Sequence, residues 1–493
     1  MQKIIEAYIK DEAKKHIDKY HKYHNSLNIE YKRIQNRLLQ YDPKEIKKPS
    51  YWETDKKFNP FYVYSNKKAI ARSIAKKLKY NEYKPNSTEK IYKQKKDGSK
   101  REISIYQIPD AAVSNYFYKR LLNKNKHRFS SFSYAYRDDR NVHFAIQDIA
   151  IELKKNSRIF VAEFDFSKFF DTINHSFLLS QLDENGFLIT KEEKEIIKSF
   201  LNDDKGIPQG TSLSLFLANV VCWRLDRELE DAGLRFARFA DDTLIWSKDY
   251  TKILKTIEIM NDFSKLAGVE INYKKSEGIS LLTSSEIPSE FVKSKESIEF
   301  LGYQISSKYI GIKEDSILKI KDRITSILYQ NLIFPIKKET LNLKNIPVDK
   351  DKDYLTAITQ IRRYLYGDLT EEKISNYLSG KYKRVIFKGI MSFYLLIDDE
   401  DQLKKLDKWL CRTIVNTIKL RKKLLQKHEV NVSCFPYNLN YQNIISSSSE
   451  ILHEEKRLFK IPSFLRIKKA IKKGIEEQGI VKIMNPKVDL YNY

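Results

Sequence analysis

The stretch RFARFADDTLIWS, Arg235–Ser247, constrains this chain more than any other. Phe236–Ala240 and Thr243–Trp246 fit two strands, so the pattern predicts a β-hairpin with Asp241 and Asp242 at a tight turn. Two like charges sit side by side between apolar runs. Aspartate is a common turn residue, which makes a solvated turn one reading. Half of a metal site is the other, and the choice depends on a second acid in a matching setting.

Asp165 supplies that setting. It lies near the end of RIFVAEFDF (Arg158–Phe166), a strand rich in aromatic and β-branched residues. An isolated carboxylate there is costly to bury. A divalent ion between Asp165 and Asp241 removes the cost. Mg²⁺ prefers few carboxylates, with substrate phosphates and water completing its shell. Two such ions ~4 Å apart stabilise the attacking and leaving oxygens of phosphoryl transfer. The backbone carbonyl of Phe166 is a plausible extra ligand.

The charge balance points to a partner. The 90 basic residues against 65 acidic ones give a formal charge of +25, which favours a polyanion, nucleic acid first. A lysine-rich composition imposed by an A/T-rich genome is the alternative. The 41% apolar content is enough for a core, and 493 residues predict two to four domains. Cys222, Cys411 and Cys434 have neither metal-like nor disulfide-like spacing, which fits a reducing compartment. The start is charged throughout, and no apolar run approaches the ~18 residues that span a bilayer. A cytoplasmic protein without membrane contact is expected. The longest apolar run, Gly389–Ile397, reads as a buried helix segment.

Along the chain, helical spacing runs to about Tyr41, and an irregular stretch with Pro43, Pro49 and Pro60 follows. Residues 65–84 and 110–125 read as helices. IYKQKKDGSKREISIYQIP reads as strand, turn and strand around Asp97-Gly98. A helix is expected from about His175. Leu213, Phe216, Leu217, Val220 and Leu225 share one stripe of another. From about residue 310 the pattern is mostly helical, and residues 401–493 keep the basic bias.

Three further motifs carry chemistry. GIPQG (Gly206–Gly210) opens onto a helix, where small residues let backbone approach a ligand and N–H groups favour anions; Gln209 offers a hydrogen bond to a base or sugar. The bland reading is a plain loop-to-helix entry. KKDGSKREI carries Lys95, Lys96, Lys100 and Arg101, which can clamp a triphosphate or form a solvated basic hairpin. INYKKSEG carries Lys275, either a general acid for departing pyrophosphate or a surface lysine.

The serial order of these pieces, ending in FLGYQI (Phe300–Ile305), resembles the reverse transcriptase family over about residues 90–305. DFSKFFDTI looks like the family's first palm motif, IPQGTSLSLFLAN its second and FADD its third. The resemblance implies an α+β right-hand polymerase with fingers and palm, a helical N-terminal extension and a helical thumb and C-terminal domain. The implied segments are 1–60, the extension; 61–305, fingers and palm; 306–400, thumb-like; and 401–493, basic and helical. It makes Asp165, Asp241 and Asp242 the metal triad for two Mg²⁺ ions, with Mn²⁺ able to substitute. It places Gln209 and Gly210 at the nucleotide site, with Lys95, Lys96 and Arg101 on the triphosphate and Lys275 as the palm lysine. Phe300, Leu301, Gly302 and Tyr303 would be the primer grip, beside Phe239. Most of the family has tyrosine where this chain has Phe239, so the ring is kept and a hydroxyl lost.

Phe170, five residues after the first acid, would block a ribose 2′-hydroxyl and select deoxynucleoside triphosphates; core packing beside Phe169 is the simpler reading. No ribonuclease H, integrase, endonuclease or zinc-finger signature follows the palm. The retron elements NAxxH and VTG are absent. Tyr51–Phe61, Ile108–Phe117 and Phe129–Ile146 look like bacterial defence-associated enzymes of the abortive-infection and unknown-group classes. That resemblance implies antiphage DNA synthesis from an associated non-coding RNA template, in the bacterial cytoplasm. Template-independent synthesis, or priming from a hydroxyl such as Tyr491 or Tyr493, are alternatives. A group II intron-type maturase or an RNA-binding protein is another, although the latter tends to lose metal acids and all three are present. Arg137, Arg412, Lys419, Arg421, Lys422 and Lys423 are expected to grip nucleic acid through phosphates, or to be a solvated face. A homo-oligomer is left open.

Overall fold

A computed structural model of the protein describes residues 1–94, 98, 100–201, 204–283, 286–287, 293–346, 351–438 and 460–484. Lys95, Lys96, Tyr491 and Tyr493 lie outside the described residues. The chain divides into two compact units. One takes Met1–Ser26, Glu45–Ala145 and Asn156–Glu296; the other takes Leu27–Lys44, Ile146–Lys155 and Ser297–Tyr493. The opening helix, Gln2–Gln35, contributes residues to both.

In the first unit, the helix expected from residue 65 starts earlier, at Pro60, and runs to Lys79. The Asn59 side chain accepts from the amides of Phe61 and Tyr62, and Pro60 at the first helical position lacks an amide to satisfy. Strands β1 (Glu89–Gln94) and β2 (Lys100–Ile105) form the expected basic hairpin. The helix Ile108–Asn125 follows.

The central sheet contains β3 (Arg158–Phe164), β5 (Arg235–Phe239), β6 (Asp242–Ser247), β8 (Gly278–Thr283) and β9 (Ser294–Lys295) in the order β5-β6-β3-β8-β9. Directly after β3 in sequence, β4 (Phe166–Ser167) forms a short pair with β7 (Glu270–Ile271). Four consecutive residues of β6, Thr243–Trp246, are buried, so both faces of this strand are covered. The helix Tyr250–Ala267 packs on β3 and β6. The helix Leu213–Val221 is buried along its length, which satisfies the apolar stripe; Leu225 joins the same core from the next helix, Trp223–Asp231.

The longest segment of the second unit opens with an antiparallel sheet of β10 (Ser297–Phe300), β11 (Tyr303–Ser306) and β12 (Ile310–Ile312). The helices Glu314–Leu328, Lys352–Tyr366, Glu371–Leu378, Glu400–Lys427 and Phe464–Gln478 follow. The run Gly389–Ile397 is not the helix expected. Ile390–Phe393 forms a single 3₁₀ turn with Met391, Leu395 and Ile397 buried. Gly389 pins its start, because a Cβ there would lie 2.2 Å from the Leu365 carbonyl oxygen. Among the described residues no helix is long and apolar enough to cross a membrane.

Candidate active site

Strand register assembles the acids. β5 and β6 pair as far as Phe239 opposite Asp242, leaving Ala240 and Asp241 as a two-residue turn, with Ala240 at a φ of 61°. β3 pairs with β6 as far as Phe164 opposite Thr243. One residue further, Asp165 falls level with Asp242. A turn and a shared sheet end therefore coincide.

The turn is held from behind by Arg238, which is fully buried. Its guanidinium donates to both carboxylate oxygens of Asp226, at 2.6 and 2.7 Å, and to Ser133 Oγ at 2.8 Å. It also donates to the Ala240 carbonyl at 3.0 Å, fixing the residue before Asp241. Burial opposes the charge, but Asp226 more than offsets it and keeps Arg238 cationic. A charge inside an apolar strand was the available sequence signal, and this role was missed.

Asp165 is clasped by the segment after β7. Asn272 donates its amide to the Asp165 carbonyl at 2.8 Å and its side chain to Oδ2 at 3.0 Å. The Asp165 amide donates to Ser276 Oγ at 3.1 Å, and Lys275 Nζ lies 3.4 Å from Oδ2. Sequence reasoning found Lys275 in INYKKSEG but not Asn272 or Ser276. Phe166 is buried and paired with Ile271, which fixes the backbone beside Asp165.

The electrostatics link these groups. Burial raises the Asp241 carboxyl above its ordinary value and the charge of Asp165 adds to the rise; a bond to its own backbone, Arg101 and Lys275 oppose it. Arg101, on the exposed half of β2, thus reaches the acid pair electrostatically. Tyr136 was missed as a site residue. Burial, then the charges of Asp241 and Asp242, push its phenol up to about 12, against Arg101 and Arg238. Its backbone sits at a φ of 60°, an uncommon conformation for a tyrosine.

GIPQG packs against β2. Gly210 has a φ of 127°, and a Cβ there would lie 2.1 Å from the Ser104 carbonyl oxygen, so the close approach is to β2. Ser104 donates its amide to the Gln209 carbonyl at 2.9 Å. The Gln209 side chain donates to Asp171 Oδ1 at 2.8 Å. Ile207 donates to the Phe170 carbonyl at 2.6 Å. Phe170 is half-buried, edge-on to Phe169 at 5.5 Å between centroids.

Several expected contacts are corrected. Arg137 is 5% exposed, paired with Asp139 and donating to the Ser130 carbonyl at 2.6 Å, so it holds a loop and does not reach nucleic acid. Arg421 is 1% exposed and bridges Asp351 and Asp353, so it too is structural. Arg412, Lys419 and Lys423 are exposed along the helix Glu400–Lys427; Lys422 is half-buried and donates to the Tyr437 carbonyl. Phe300 and Tyr303 are buried in the second unit, and the Tyr303 hydroxyl donates to the Phe393 carbonyl. Of the expected primer grip in that unit, only Leu301 and Gly302 at the hairpin tip are partly exposed. Phe239 is half-buried.

The donor set at the sheet end is carboxylate oxygen, the chemistry hard cations take. Among the described residues no three His, Cys, Asp or Glu side chains gather around one ion position.

Comparison with known proteins bears on the same segment. Residues 93–305 match the family model described as reverse transcriptase (RNA-dependent DNA polymerase). Protein YkfC of Escherichia coli is 26% identical over 164 residues, covering 31% of this chain and 43% of that protein. The group II intron-encoded protein LtrA of Lactococcus lactis is 23% identical over 354 residues, covering 68% of this chain and 55% of LtrA. The chain thus spans about half the length of these curated relatives. A telomerase structure from Candida albicans aligns at a TM-score of 0.37 and 13% identity, covering 74% of this chain and 66% of that one. The reverse transcriptase model thus matches the segment that holds the acid-bearing hairpin at the end of a mixed α+β core.

Proposed function

We propose that the chain is an RNA-directed DNA polymerase, extending DNA by nucleotidyl transfer from deoxynucleoside triphosphates with Mg²⁺, for which Mn²⁺ can substitute. One observation carries this reading: Asp165 meets the Asp241–Asp242 turn at one sheet end, within the field of Arg101 and Lys275. Two ions held by Asp165, Asp241, Asp242 and the Phe166 carbonyl would stabilise the attacking and leaving oxygens. The rest falls to the chain's own residues. Arg101, with Lys95 and Lys96, holds the triphosphate, and Gln209 and Gly210 shape the nucleotide site where the loop meets β2. Phe170 excludes the 2′-hydroxyl. The primer 3′-hydroxyl gives its proton to solvent water as its oxygen bonds the α-phosphorus and the bond to pyrophosphate breaks, and Lys275 donates a proton to the leaving pyrophosphate.

The template in this reading is an associated non-coding RNA, and the role is antiphage defence in the bacterial cytoplasm. Supporting it are the segments Tyr51–Phe61, Ile108–Phe117 and Phe129–Ile146 that resemble defence-associated enzymes. The likeness to LtrA favours a second reading, an RNA-binding protein of intron maturase type. Sequencing the RNA and DNA that co-purify with wild type and with Asp241→Ala tests both. A recurrent RNA with complementary DNA is expected from wild type, and the RNA alone from the variant. Equal DNA in both overturns the polymerase reading; intron RNA without DNA in either favours the maturase.

A further inference from the structure

The second unit contains a basic cleft of about 670 Å³ that the active-site reading does not use. That volume is within the ~300–1,000 Å³ of small-ligand pockets. One wall is a strap, residues 379–389, whose exposure alternates from Arg384 on. Val385 and Phe387 are buried, while Arg384, Ile386 and Lys388 face outward. The alternation follows from an extended chain sending successive side chains to opposite sides.

The strap is fixed at several points. Lys381 and Tyr382 donate their amides to the Asn376 carbonyl at 2.8 and 3.2 Å, and Phe387 donates to the Ile483 carbonyl at 3.0 Å. Gly367 and Gly389 meet backbone to backbone, since a Cβ on Gly367 would lie 2.7 Å from the Gly389 nitrogen. Lys373 enters from the helix Glu371–Leu378, and Lys482 from the short helix Ile480–Ile483. Four cations therefore line the cleft, against one acid among its described lining residues, Asp368, which pairs with Lys388 at 3.2 Å. Two exposed apolar side chains line the same cleft, Tyr382 at 44% exposure and Ile386 at 47%.

Exposed cations sharing a cleft with an exposed aromatic ring fit phosphates spaced along a strand, with a base against the ring. We propose that this cleft binds a short single-stranded segment of nucleic acid, its phosphates on Lys373, Arg384 and Lys482 and one base stacked on Tyr382 beside Ile386. The named contacts are to phosphates and a base face, so RNA and DNA strands both bind. The site lies in the second unit and does not rest on the polymerase reading.

The test uses the full chain in EDTA without nucleotides, so polymerisation does not enter it. A 12-nucleotide RNA carrying 4-thiouridine is photo-crosslinked and the adducts mapped by mass spectrometry. An adduct on the Tyr382 peptide is expected in wild type and Tyr382→Phe, and its loss in Tyr382→Ala. In parallel, anisotropy with labelled RNA and DNA 12-mers is followed against salt for Lys373→Gln/Arg384→Gln/Lys482→Gln. The slope of log K against log salt should fall by about 2, because each single-strand phosphate contact contributes ~0.7. Circular dichroism matching wild type establishes that the variants fold. Adducts confined to other peptides together with an unchanged slope overturn the proposal. So does protection of the Tyr382 peptide by free ATP with no adduct from the strand, which assigns the cleft to a nucleotide.

Discussion

Arg238→Met tests how the acidic turn is held. The substitution leaves Asp226 as an unpaired charge in a fully buried site, where its partner now donates two bonds. Removing one partner of a buried pair costs ~3–5 kcal/mol. A domain of this size shifts by roughly 2–4 °C per kcal/mol, so the variant should melt ~6–20 °C below wild type. Arg238→Met/Asp226→Leu removes both charges and should recover most of that loss, since an apolar pair of similar volume is often neutral or stabilising. Neither variant restores the bond to the Ala240 carbonyl that sets the turn before Asp241. A misplacement of about 1 Å at a reacting centre costs ~10²-fold. The double variant should therefore fold and still incorporate deoxynucleotides ~10²-fold more slowly. Scanning calorimetry and a primer-extension rate measure the two effects separately. A double variant with wild-type stability and wild-type rate would refute the positioning role, and a single variant melting within 2 °C of wild type would refute the burial argument.

Phe170→Ala should admit ribonucleotides, read as the ratio of ribo- to deoxynucleotide incorporation; an unchanged ratio sinks the steric role. Gly210→Ala should lower stability by about 2–5 kcal/mol, from a strained φ and a clash with β2, and urea melts within 0.5 kcal/mol of wild type would contradict it. His143 is fully buried, and burial lowers its imidazole from 6.5 to about 4. Between those values the unfolded chain takes up a proton that the folded chain refuses, so stability falls as pH drops, by about 1.4 kcal/mol per pH unit. His143→Leu should remove about 2 kcal/mol of the loss between pH 6.5 and pH 5, and parallel loss curves for variant and wild type would exclude this origin.

The acidic hairpin was legible because its signals are local: two short apolar runs, a two-residue turn and a strand that ends on an acid. The same holds for the basic hairpin β1–β2 and the helix Leu213–Val221. Buried arginines were not legible in this way. Arg238, Arg137 and Arg421 look like surface cations until their partners are known, and Asp351 lies 70 residues from Arg421. For Gly210 a sequence cannot say which backbone comes close, and here it is Ser104. Phe300 and Tyr303 fit the family pattern, yet the two-residue turn between them sends both rings into the core. Asn272, Ser276 and Tyr136 are ordinary residues made specific only by the fold that brings them to Asp165 and Asp241.

DNA synthesis on a defined RNA template tests the central claim most directly. Purified wild type, given a primed RNA and deoxynucleoside triphosphates with Mg²⁺ or Mn²⁺, should yield DNA whose sequence is the complement of that RNA. Asp241→Asn, shown to be folded, should yield none. Equal product from both proteins, or none from folded wild type with either cation, would contradict the account.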